Sequence, residues 1–163
     1  MIRPAELTDL PKLMAYWTEN GHRYRPPLPQ KLLTEAYWKD RTKTALKELE
    51  SDKAYRFYVF DPKELAIMGT IAFYKVRRSD FQDCTLGYTI SGEYEGKRLM
   101  YESVSAAIKW VFEDRQLRRI EASHALDNPR SGRLLDRLGF KTVSIDYEKG
   151  RRVVELRKQP SRT

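Results

Sequence analysis

The strongest constraint on the fold is a change of hydrophobic period near Ser91. Upstream of it, apolar side chains alternate. Tyr55, Phe57 and Val59 stand against Arg56, Tyr58 and Phe60, and Leu86, Tyr88 and Ile90 share one side of a later run. That repeat of about two residues belongs to strands. Downstream, Val104, Ala107, Ile108 and Val111 recur at helical spacing. A short strand over 119–123 comes next. Strand, helix, strand is a parallel crossover, and a crossover set among hairpin-connected strands makes a mixed sheet.

The other elements follow from period and punctuation. A short strand is expected over 2–4. Leu10, Leu13, Met14 and Trp17 mark a first helix, with Thr8 or Asp9 as its cap, Pro11 in its first turn and Gly21 at its end. Residues 25–29, Arg-Pro-Pro-Leu-Pro, form a stiff connector that excludes helix. A weaker pattern predicts a second helix over 30–50, with Leu32, Leu33, Ala36, Tyr37, Ala45 and Leu49 on its less polar side. Strands are expected over 55–60, 65–75 and 85–90 as an antiparallel meander, with a turn at Asp61-Pro62. The crossover helix should span 99–115. Asn128 caps a last helix that has Pro129 at its first position and Gly139 just past its end. Strands over 141–147 and 151–157 close the chain, and the tail from Gln159 should fray. The expected fold is α+β, three-layered α/β/α, with a mixed, mostly antiparallel sheet of about seven strands and four helices in a single domain over residues 1–163.

Bulk properties narrow the function classes. The first ten residues carry Arg3, Glu6 and Asp9 where a secretory signal would be apolar, and no apolar run approaches the ~18 residues of a membrane span. A cytoplasmic protein without membrane attachment is expected. Cys84 is the lone cysteine and falls in a strand, which predicts a buried, inert thiol. The net charge of +8 favours anionic partners. The basic clusters carry no interleaved aromatics, so specific nucleic-acid binding is not predicted. No metal site is expected.

Chemistry is expected first at the loop from Ser91 into the helix at Leu99. A helix N-terminus offers unpaired amides and the positive end of the dipole to phosphate. Gly92, Gly96, Lys97 and Arg98 stand at this junction. Asn128 and Ser131 are the second place of interest, although a helix cap and a first-turn serine explain them equally well. Glu121 on the short strand, then His124, are candidate bases. Pairing of Glu121 with an arginine and a polar surface position for His124 are the plainer readings.

The run Leu86-Gly87-Tyr88-Thr89-Ile90-Ser91-Gly92-Glu93-Tyr94-Glu95-Gly96-Lys97-Arg98-Leu99-Met100, with Ile120-Glu121-Ala122, Asn128-Pro129-Arg130-Ser131 and Leu138-Gly139-Phe140, resembles the GNAT superfamily. Within it, the chain is most similar to the ribosomal-protein-alanine N-acetyltransferases, the Rim type. The resemblance implies a strand at Tyr88, Thr89 and Ile90 that splays from its neighbour and takes the pantetheine arm of acetyl-CoA. A backbone amide there faces the thioester oxygen, aimed at charge that develops during reaction. It implies a phosphate turn over Glu95, Gly96, Lys97, Arg98, Leu99 and Met100. The family pattern there is Gln-x-x-Gly-x-Gly/Ala, and this chain departs from it. Glu95 holds the Gln position, Arg98 the first Gly and Met100 the last. Glu95 brings negative charge towards a diphosphate. Arg98 either contacts phosphate or fills the space the backbone needs, or the two pair with each other.

By the same resemblance Asn128 helps hold the pantetheine, and Ser131 hydrogen-bonds the leaving thiolate. The position where more distant family members carry a thiol-side Tyr is Leu135 here. Glu121 is the first candidate for the base that frees the amine. The implied reaction moves acetyl from acetyl-CoA directly to a primary amine, most simply the α-amine of a protein, with a ribosomal protein as the favoured acceptor. Lysine or small-amine acceptors stay open, as does a GNAT-fold binding or assembly module with weakened catalysis, motivated by Glu95 and Arg98. Monomer and homodimer are both compatible with the sequence.

Overall fold

A computed structural model describes residues 1–24, 26–63 and 65–161. Among these are four α-helices: α1 (Leu10–Asn20), α2 (Glu35–Glu50), α3 (Leu99–Glu113) and α4 (Pro129–Arg137). The strands are β1 (Ile2–Arg3), β2 (Tyr55–Phe60), β3 (Ile67–Arg77), β4 (Asp83–Ile90), β5 (Arg119–Ala125), β6 (Lys141–Asp146) and β7 (Arg151–Arg157). They form one seven-stranded sheet in the order β1-β2-β3-β4-β5-β7-β6. The β4–β5 pair is parallel, with Cys84 opposite Ile120 and Leu86 opposite Ala122, as a crossover through α3 requires. The β1–β2, β5–β7 and β6–β7 pairs are antiparallel. The mixed sheet and the α+β class are therefore as the sequence predicts.

The chain forms two compact units. The first comprises Met1–Ala72 and Tyr88–Met100. Its core gathers Leu10, Leu13, Tyr16 and Trp17 of α1, Trp38 of α2, and Phe60 and Ile67 of the strands. Trp17 and Trp38 stack with centroids 5.0 Å apart and planes 3° from parallel. Asp9 stands at the α1 N-cap position, but its carboxylate accepts from the Glu6 N–H and holds Arg3 at 2.7 and 3.0 Å.

The second helix departs from expectation. A 3-10 turn at Gln30–Leu32 comes first, and α2 starts only after Thr34, whose hydroxyl accepts from the Tyr37 N–H. Capping by Thr34 outweighs the weak apolar pattern before it. The buried face of α2 is Trp38 and Thr42, while Ala36 is exposed. Arg25, first residue of the expected connector, lies outside the described residues.

The second unit comprises Phe73–Gly87 and Tyr101–Thr163. Val104, Val111, Leu117, Ile120, Leu135 and Val154 are its fully buried aliphatics. Leu135, at the family's tyrosine position, is therefore a core residue. Cys84 is buried, and burial pushes its thiol up to about 12. The α4 helix begins after Asn128, whose Oδ1 accepts from the Ser131 N–H at 3.2 Å, and Gly139 beyond its end takes a left-handed φ of +95°.

One polar face of this unit is an ion-pair ladder. Asp83 accepts from Arg77 at 2.8 and 2.6 Å and from Arg119 at 3.0 Å. The hydrogen bond from Arg77 chiefly holds the Asp83 carboxyl below the usual carboxylate range. A depressed folded pKa adds stability above the unfolded value of about 3.9 and loses it as pH falls through the folded one. Arg77 is half-exposed, so water screens much of this contribution. Asp83→Asn should cost about 1 kcal/mol at pH 7. In urea titrations its deficit should shrink as pH falls below about 4.

Candidate active site

In the first unit, the end of β4 is held by hydroxyls and by a glycine. The Thr89 hydroxyl lies 2.7 Å from Tyr16 Oη and 2.7 Å from Thr70 Oγ1, and Tyr24 hydrogen-bonds the same pair of threonines. Burial raises the pKa of Tyr16 and Tyr24 and pushes the neighbouring Tyr58 up to about 12. These phenols stay protonated at neutral pH, and in the Tyr16–Thr89 pair either hydroxyl can be the donor. Gly69 of β3 faces Thr89 so closely that an added Cβ would stand 2.6 Å from the Thr89 carbonyl oxygen and 2.9 Å from Met100 Cε. The Ser91 N–H then donates to Met68 O at 2.8 Å.

Beyond Ser91 the chain makes a 3-10 turn at Gly92–Tyr94 and enters α3 through Glu95, Gly96, Lys97 and Arg98. Gly96 and Arg98 both take left-handed backbone, at φ +74° and +58°. Arg98 thus occupies the position of the family's first Gly and keeps the conformation that favours glycine there. It makes no hydrogen bond or ion pair among the described residues, and both it and Lys97 are exposed. A Cβ at Gly96 would meet nothing within 4 Å. Open space, two exposed cations and the free amides of α3 at Leu99 and Met100 fit an anionic diphosphate. The Met100 side chain is buried against Gly69, so only its backbone faces this turn.

Glu95 pairs with Arg23, a residue 72 positions away that the sequence reading did not single out. Arg23 also donates to the Ile90 carbonyl at 3.1 Å, and its guanidinium occupies the space beside Gly92, where a Cβ would lie 3.1 Å from Nη1. Tyr88, Thr89 and Ile90 are each half-buried on β4. The residues Tyr16, Arg23, Tyr24, Gly69 and Thr70 that support this strand end were all missed by pattern. Gly69, inside an apolar strand run, was the one with a local signal.

In the second unit, Glu121 on β5 accepts from Arg119 at 2.7 Å. Arg119 also binds Glu155 of β7, which stands opposite Glu121 in the register. The plainer reading of Glu121, a strand carboxylate on an arginine, thus describes its contact. His124 is buried rather than on the surface. Its ring packs against Gly132 of α4, with Nδ1 2.8 Å from Ala125 O. Asn128 is exposed and Ser131 half-buried at the start of α4.

A mixed sheet with a parallel β4–β5 crossover, and an exposed basic turn where its helix begins, is the setting in which comparison with known proteins places the chain in a class. Residues 1–141 match the family model described as the acetyltransferase (GNAT) domain, and the chain belongs to that family. It is an N-acetyltransferase with acetyl-CoA as co-substrate. The [ribosomal protein uS5]-alanine N-acetyltransferase of Escherichia coli is 35% identical over 144 residues, spanning 86% of this chain and 74% of the relative. A probable N-acetyltransferase of Bacillus subtilis, YjcK, is 27% identical over 88% of this chain and 81% of its own length. The crystal structure of the ribosomal-protein-S5-alanine acetyltransferase from Vibrio fischeri superposes with a TM-score of 0.89 at 25% identity, covering 96% of this chain and 91% of that one. No helix among the described residues is long and apolar enough to cross a membrane.

Proposed function

We propose that this chain acetylates the α-amine of a protein N-terminus, with a ribosomal protein as acceptor, by direct transfer in a ternary complex. The 35% identity to an enzyme that acts on an alanine of ribosomal protein uS5 carries this reading. Physical chemistry supports it. An α-amine has a pKa of about 7.7–8.0 against about 10.4 for lysine, so it needs little help to become a nucleophile. Cys84, with its buried and weakly acidic thiol, is a poor acyl carrier, which favours transfer without an acyl-enzyme.

Acetyl-CoA supplies the activated acyl carbon and a thiolate leaving group. The turn at Glu95, Gly96, Lys97, Arg98, Leu99 and Met100 is assigned the diphosphate, and Tyr88, Thr89, Ile90 and Asn128 the pantetheine. The amine nitrogen bonds the acetyl carbon, the carbon–sulfur bond breaks, and the amine proton passes through water to Glu121 once that carboxylate loosens from Arg119. The Ser131 hydroxyl donates a hydrogen bond to the departing sulfur. The excess of basic residues draws an acidic or RNA-bound acceptor.

The weakened-module alternative rested on Glu95 and Arg98. Arg23 offsets the first charge, and Arg98 keeps the glycine-like backbone, so neither departure demands loss of the cofactor. The test is acetyl transfer to peptides bearing ribosomal-protein N-termini, read by thiol release and by the mass of the N-terminal fragment. Acetyl on the α-amine is expected. Modification of lysine alone, or of nothing, would overturn the reading. Ser131→Ala should lower kcat about tenfold with little change in the KM for acetyl-CoA, the loss of one hydrogen bond to a sulfur that gains negative charge as it leaves.

A further inference from the structure

The first unit contains a cavity of about 190 Å³ that lies outside the cofactor turn. Trp17, Tyr24, Trp38 and Phe57 supply aromatic walls, and Arg41 and Arg56 supply charge. Both arginines bind Glu48 and are more than a quarter exposed, so the lining includes groups that water reaches. An apolar cavity of about 150 Å³ holds a benzene ring. This one is large enough for a phenyl or branched aliphatic side chain.

Two observations point to an occupant. The Trp38 indole N–H is buried and has no hydrogen-bond partner among the described residues, although it belongs to the cavity lining. Buried donors are ordinarily satisfied, and a ligand carbonyl is the simplest acceptor for one that is not. The cavity is also joined to β4. Thr70 lines it and touches the Thr89 hydroxyl at 2.7 Å, while the Tyr24 ring is in its wall and the Tyr24 hydroxyl bonds Thr70 and Thr89. Whatever fills it ends one side chain from the strand assigned to the pantetheine.

We propose that this cavity is a side-chain pocket for the acetyl acceptor, taking a large apolar or aromatic residue from among the first three of the acceptor chain, with a backbone carbonyl of that chain on the Trp38 N–H. The inference rests on the peptide N-acetyltransferase reading. It makes the acceptor a chain whose α-amine is followed closely by Phe, Leu or Ile, and it sets polar or all-alanine N-termini apart as poor substrates.

The experiment compares peptides with alanine, leucine or phenylalanine at each of the first three positions, using the full-length chain and Ala45→Phe, which fills the pocket from α2. The expected result is a preference of about tenfold in kcat/KM for a bulky residue at one position, abolished by Ala45→Phe, with acetyl-CoA affinity unchanged. If Ala45→Phe fails to fold, Trp38→Phe keeps a ring and removes the N–H. It should then lower kcat/KM several-fold for every peptide, because the carbonyl that loses its donor is backbone, and leave acetyl-CoA affinity unchanged. Indifference to side chain with normal transfer overturns the pocket and leaves the parent reading standing. Absence of transfer to any peptide overturns both.

Discussion

Gly69→Val should cost about 3 kcal/mol of stability and weaken acetyl-CoA binding at least about tenfold. The valine Cβ alone would stand 2.6 Å from the Thr89 carbonyl oxygen, and backbone cannot swing aside as a side-chain tip can. The 2.9 Å approach to Met100 Cε is softer, because methionine has other rotamers. The strain must therefore pass into β4 at Thr89 and Ile90, the strand end that the Tyr16 and Thr70 hydroxyls hold in place. Urea unfolding reads the first effect and calorimetric titration with acetyl-CoA the second. Gly87→Ala is the control. Its Cβ would meet the Tyr74 ring at 3.4 Å, an ordinary contact, so a much smaller cost is expected. Wild-type affinity in a folded Gly69→Val would show that the close approach does not govern the cofactor strand.

Gly69 also shows where sequence reading stops. Period and punctuation located β2 (Tyr55–Phe60) and β7 (Arg151–Arg157) to the residue, because alternation and local turns are written in neighbouring positions. The Asn128-Pro129 start of α4 was equally legible, since capping is a local contract between a side chain and amides two or three residues on. The burial face of α2 was legible only in part: Tyr37, Ala45 and Leu49 are half-buried as expected, but Ala36 is exposed and the fully buried pair was not named. Trp38 and Thr42 turn inward because Trp17 and Phe60 wait there, and no pattern within α2 records that. The candidate site divides the same way. The turn from Glu95 to Arg98 stood out as a segment, but the partner of Glu95 did not. The sequence leaves open a pairing of Glu95 with Arg98, yet Arg98 takes left-handed backbone and Glu95 reaches Arg23. Long-range pairing of charges leaves no local signal.

That pair supports the other large effect. Arg23→Ala should weaken acetyl-CoA about thirtyfold, since the half-buried Glu95 carboxylate, stripped of this guanidinium, repels a nearby diphosphate by ~2 kcal/mol at intermediate dielectric. Glu95→Gln alone should tighten binding a few-fold, because it removes the negative charge and leaves the Arg23 guanidinium beside the turn. The double variant Arg23→Ala with Glu95→Gln should then bind nearly as the wild type does. The two substitutions thus have opposite signs and compensate, which a purely structural role for the pair does not produce. If Arg23 merely braced the turn through Ile90 O and the space beside Gly92, removing either partner would loosen the turn, and the losses would accumulate. Salt separates the terms further. The charge effect should fade between low and physiological ionic strength, whereas a bracing effect should persist. Calorimetric Kd values for the four proteins at two salt concentrations complete the cycle, and a weakened Glu95→Gln would refute the electrostatic account.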